Sequence, residues 1–121
     1  MGTLFLPLGL ALRAAAALTD AVPAGSAVHA LTAGALGSLT LGMMARVSLG
    51  HTGRMLTPAR SVTIAFICLV TAALLRIGAP LLPSAFYLRS LSAAAAAWSA
   101  AFGLFLVAYW RILFAPRADA R

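Results

Sequence analysis

Lysine, glutamate, asparagine and glutamine are missing from this chain of 121 residues. Asp20 and Asp119 are its only acids, and all nine basic residues are arginine. Charged residues make up 9% of the sequence, against roughly 25% in a soluble globular domain. These shortages exclude much chemistry. No carboxylate pair, HExxH motif, Cys/His zinc spacing or P-loop is present. A Ser–His–Asp triad would have to recruit Asp20 or Asp119, and neither stands beside a nucleophile motif. The single cysteine, Cys68, sits inside an apolar run and allows no internal disulfide.

What is present is apolar. Hydrophobic residues account for 63% of the chain, with a mean hydropathy of +1.01, so it reads as an integral membrane protein. The wealth of arginine and alanine, both with GC-rich codons, fits a high-GC bacterial source. The net charge of +7 is carried by arginines that mostly flank apolar runs. That pattern orients a protein in a bilayer and does not build a phosphate-reading groove, so nucleic acid is not an expected partner.

Four apolar runs set the expected fold: an all-α, polytopic membrane bundle with four transmembrane helices near 4–18, 28–49, 59–78 and 86–114. The whole chain, 1–121, forms one transmembrane region. The first run is short, about 16 residues, and holds Pro7, Gly9 and Arg13. An arginine within the apolar core, instead of before it, argues against a signal peptide. Asp20, Pro23 and Gly25 mark the first connection. Thr57 and Pro58 read as an N-cap followed by proline at the first helical position. Pro80 and Pro83 break the chain before the last run. That run ends in Tyr109, Trp110 and Arg111, an aromatic belt with an anchor. The tail 116–121 is expected to fray.

The run near 28–49 carries the candidate chemistry. Ser26 is a plausible N-cap and Gly50 a plausible stop, which places His29 in the first turn. There the positive end of the helix dipole favours a neutral, metal-competent imidazole. His51 lies 22 residues on, roughly 33 Å along a helix, so the two histidines cannot share one ion. Ala30, Gly34, Ser38 and Gly42 recur every fourth position, a spacing that lets another helix approach closely. Two readings of His29 stand side by side: an interfacial histidine bonded to a backbone carbonyl, or a ligand. Met43 and Met44 read as apolar filling or as soft ligands.

Arginine bias sets the topology. Arg46, Arg54, Arg60, Arg111, Arg117 and Arg121 gather at the second connection and the C-terminus, so both termini and His51 are expected in the cytoplasm. His29, Asp20, Arg76 and Arg89 then share the outer side. Arg76 and Arg89 read as headgroup anchors or partners of Asp20. Alternatively they bind a carboxylate group, which suits the guanidinium fork.

The strings HALTAGALG (29–37) and MMARVSLGHTGR (43–54) resemble the NnrS family. AALLRIGAP (72–80) and the aromatic, arginine-ended last helix fit its C-terminal end. The resemblance implies a bacterial inner-membrane protein bearing haem and copper, made in denitrifiers and pathogens in response to nitric oxide and nitrosative stress. Family members are several-fold longer, so it also implies that this chain is the C-terminal part of a longer protein. His29 and His51 match the family's histidine positions, and Arg54 its loop arginine. On this basis His29, Arg76 and Arg89 are the expected cofactor-binding residues, and His29, His51 and Met44 the expected metal ligands. His29 is favoured over His51 as the axial ligand, because of its helix position, its small-residue face and its arginine neighbours.

The leading expectation is therefore a haem- and copper-binding membrane protein of the nitric oxide response, with no catalytic motif visible. The alternatives are a small transporter or channel subunit, or a ligand-free assembly module. Its partners are expected to be the lipid bilayer, other transmembrane helices or further copies, and proteins of the nitric oxide pathway. A short first helix and few acids to pair the arginines point to self-association or to a need for other helices.

Overall fold

In hydrocarbon every backbone N–H and C=O must be paired within the chain, which drives long apolar runs into helices. The computed structural model describes residues 2–57 and 59–118, and no strand occurs among them. A 3₁₀ turn at Gly2–Leu4 leads into α1 (Phe5–Leu18). Next come α2 (Ala24–His29), a π-helical segment (Ala30–Leu36) and α3 (Gly37–His51), which join into one helix of 28 residues. α4 (Arg60–Gly78) closes through a 3₁₀ turn at Ala79–Leu81, and α5 (Ser84–Phe114) completes the bundle.

Three helices are long and apolar enough to cross a membrane: Ala24–His51, Arg60–Leu81 and Ser84–Phe114. Of the expected four spans, three meet this length and composition. α1 forms where the sequence placed it, but its 14 residues reach only about 21 Å at 1.5 Å per residue, short of a core of roughly 30 Å. It lies along one half of its neighbour. Phe5 covers Gly34, Leu31 covers Gly9, and Gly2 lies against Ser38, midway along the 28-residue helix.

Helix ends also differ from expectation. Ser26 is not a cap: the helix starts two residues earlier, behind Pro23, and the Ser26 hydroxyl donates to the Ile77 carbonyl at 2.9 Å. His29 is therefore the sixth helical residue, beyond the first turn where the dipole acts most strongly. Gly50 does not stop the helix. It ends one residue later, and Gly53 takes the left-handed conformation with φ 67°. The Gly53 N–H bonds to Gly50 O and the Arg54 N–H to Leu49 O, the paired bonds of a Schellman ending. The expected cap at Thr57 and Pro58 involves Pro58, which lies outside the described residues. The tail does not fray through Ala118, whose N–H bonds to Thr52 O at 3.0 Å. Residues 119–121 lie outside the description.

Packing divides the bundle lengthwise. At the His51 end, Leu41, Ala45, Leu49, Val62, Ala65, Phe105 and Tyr109 form the main core between α3, α4 and α5. At the His29 end a smaller cluster of Phe5, Ala35 and Ala73 ties α1 and the π-helical segment to α4. Elsewhere large apolar side chains face outward, among them Leu10, Leu36, Ile67, Leu88 and Val107. So much exposed apolar surface suits lipid, not water.

Candidate functional site

A groove of about 720 Å³ opens at the His29 end, between the 28-residue helix and α5, with α4 as its floor. Its size falls within the roughly 300–1,000 Å³ of ligand and cofactor sites. Half-buried His29 and half-buried Arg76 line it together. Ala33, Gly37, Ala72, Ala94 and Ala95 keep the walls low, and Trp98 and Phe102 close the deep end. The Trp98 and Phe102 rings lie 5.2 Å apart at 45°. Trp98 approaches so closely that a Cβ on Gly37 would sit 2.6 Å from its ring.

The backbone explains why this face stays open. In the π-helical segment the turn is wider, and the Gly37 N–H bonds five residues back to Thr32 O. A regular helix turns in 3.6 residues, so positions four apart drift around it. The wider turn absorbs that drift and keeps two rows, 29/33/37 and 32/36/40, on the groove side. Thr32 bonds its own helix, its hydroxyl donating to Val28 O at 2.8 Å. Single-turn π segments often mark functional sites.

Arg76 is held from both sides. Carbonyls near the end of α4 have acceptor capacity to spare, Leu75 O besides the Ala79 N–H that it already takes. Two serines reach across to them: Ser26 donates to Ile77 O at 2.9 Å and Ser90 to Leu75 O at 3.1 Å. These bonds clamp the turn that carries Arg76 between α2 and α5. A guanidinium fork at the rim of an apolar groove is suited to a carboxylate.

Other expected site residues lie elsewhere. Arg89 is exposed and outside the groove wall. His51 is exposed at the opposite end, and Met44 packs on the main core. The structure thus joins His29 with Arg76 and does not bring Arg89, His51 or Met44 to them. No group of three His, Cys, Asp or Glu side chains able to hold a metal ion occurs among the described residues. The small-residue stripe admits a helix, as its spacing suggests: Gly34 faces Phe5 of α1 and Ser38 faces Gly2 in the turn before it, while the groove belongs to the adjacent rows. Trp98, Phe102, Thr32 and Thr40 were missed as lining residues. An indole directly after the alanine run 93–97, with a phenyl four residues on, was the available signal.

The NnrS family model, described as NnrS protein, matches residues 1–117 of the chain. The chain belongs to the NnrS family. No curated protein and no solved structure matches it. In this NnrS chain the groove residues fit haem: one imidazole for an axial bond, one guanidinium for a propionate, and apolar and aromatic walls. They do not fit copper, because the groove wall holds no methionine, cysteine or second histidine beside His29.

Proposed function

We propose that this NnrS chain is a haem-binding integral membrane protein of the nitric oxide response. The observation that carries the reading is the placement of His29 and Arg76 on one apolar groove of about 720 Å³. His29 would supply the axial nitrogen, and Arg76, on a turn whose backbone the two serine bonds clamp, would pair with a propionate. Trp98 and Phe102 exclude water from the deep end, and the alanine and glycine walls leave room for a flat ring. When bound, haem supplies an iron centre able to take a diatomic ligand.

The wider setting is part of the same proposal. The chain corresponds to the C-terminal part of a longer family member in the bacterial inner membrane. α1 acts as a fourth membrane helix, embedded against its neighbours. Both termini and His51 face the cytoplasm, following the arginine bias.

A visible spectrum with metal analysis on the purified chain tests the reading. A Soret band with about one haem per chain is expected. His29→Ala should abolish or shift it while leaving membrane insertion intact, and His51→Ala should leave it unchanged. The reverse result would place the site at the cytoplasmic end. No change in either variant would make both histidines structural.

A further inference from the structure

A second cavity, of about 290 Å³, lies toward the His51 end between α3, α4 and α5. Arg46, Leu49, Val62, Phe66 and Tyr109 are among its walls. Tyr109 is 1% exposed, and its hydroxyl is buried without a hydrogen-bond partner among the described residues. Its ring is already satisfied, stacked on Phe105 at 4.6 Å. The packing would be met by phenylalanine, and an unpaired buried hydroxyl is costly. Arg46 poses the matching problem. It is an exposed cation on a membrane-crossing helix, where charge persists when it is paired or functional. Asp20 is the one acid among the described residues, and it sits at the far end, in the connection before α2.

Two donors without acceptors among the described residues therefore share one cavity whose other walls are apolar. A guanidinium fork and a phenol suit a phosphate, and Leu49, Val62 and Phe66 suit the hydrocarbon next to it. Arg54, Arg60 and Arg111 lie at the same end, and clusters of this kind attract anionic lipid. We infer that this cavity binds the phosphate of an anionic phospholipid, with Arg46 and the Tyr109 hydroxyl as donors and the acyl chain against Val62 and Phe66. The site is separate from the His29 groove and independent of haem.

The test uses the full chain in nanodiscs of phosphatidylcholine, alone or with phosphatidylglycerol. Phosphatidylglycerol should raise the Tm, and this lipid should be enriched in the material that co-purifies. Arg46→Gln and Tyr109→Phe should each weaken the enrichment about tenfold, the size of one lost hydrogen bond to a charged group. Arg89→Gln, exposed at the opposite end of the bundle and outside the cavity wall, should leave it unchanged. Tyr109→Phe keeps the stacked ring, and its Tm in phosphatidylcholine alone checks that the fold survives. An undiminished phosphatidylglycerol effect in both cavity variants would overturn the assignment. So would the same Tm rise from inorganic phosphate in phosphatidylcholine discs, since the ligand would then be a free anion.

Discussion

The two ends of this bundle share three helices and use them in opposite ways. At the His51 end Leu41, Leu49, Val62, Phe105 and Tyr109 pack most of the space between α3, α4 and α5 and leave a cavity of about 290 Å³. At the His29 end the facing residues are Ala33, Gly37, Ala72, Ala94 and Ala95, and the space stays open. Small residues alone do not produce an opening. On the other side of the same helix Gly34 is covered by Phe5, and the helices close up. The groove forms where small residues coincide with a widened π turn and where, among the described residues, no fourth helix covers them. The His29 groove thus reflects two faces of one helix, set apart by its turn geometry.

The comparison breaks most sharply in the filled half. Leu41 is wholly buried in the main core. In lipid the transfer term of a truncation is small, because hydrocarbon is as apolar as the core. What remains is lost packing, so Leu41→Ala is expected to cost about 2 kcal/mol, the lower end for such changes. Thermal unfolding in nanodiscs measures it, and the haem spectrum of the folded fraction should match wild type. A lost spectrum at full stability would mean that the two halves are not independent.

The covered face of the His29 end comes next. A Cβ on Gly34 would run into the Phe5 ring, so Gly34→Ala must push α1 away. An overpacked contact of this kind costs about 1–3 kcal/mol. Limited proteolysis near the first connection should speed up while the spectrum holds, because the groove lies on the neighbouring rows. A variant as resistant as wild type would show that α1 is only loosely seated.

Which features were legible in the sequence follows from what decides each one. Helix existence depends on apolar content and was readable, from the run of α4 to the aromatic exit of α5. The ends of the 28-residue helix were not. Ser26 has a capping residue's chemistry, but the α4 terminus offered its hydroxyl a carbonyl at Ile77, and tertiary pairing won. Gly50 and Gly53 look equally fit to stop a helix, and only the fold selects the second. His29 and Arg76 were readable as candidates because ionisable side chains are rare in apolar runs. Their meeting was not, since it rests on a crossing of helices that no local pattern encodes. The π turn left no mark that the periodicity of small residues could reveal: the stripe at every fourth position marked the face on which a helix packs, not the rows that line the groove.

The smallest expected change in stability separates the groove from everything around it. Ala95 lines the groove on α5 and is exposed, so a larger side chain there meets open space. Ala95→Leu should alter stability by no more than about 0.5 kcal/mol, as exposed substitutions away from special features do. Leucine is also a good helix former, which keeps α5 intact. Yet its isobutyl group would occupy the wall opposite Ala33 and Gly37, where a flat ring would have to lie. Haem content per chain should fall severalfold while Tm and membrane insertion stay at wild-type values. Unlike His29→Ala, this change removes no ligand and no charge, so a loss reports on space alone. If Ala95→Leu keeps a full complement of haem with an unshifted Soret band, the ring does not sit in this groove. His29 would then have to act from another face of its helix, and the open half of the bundle would owe its shape to something other than haem.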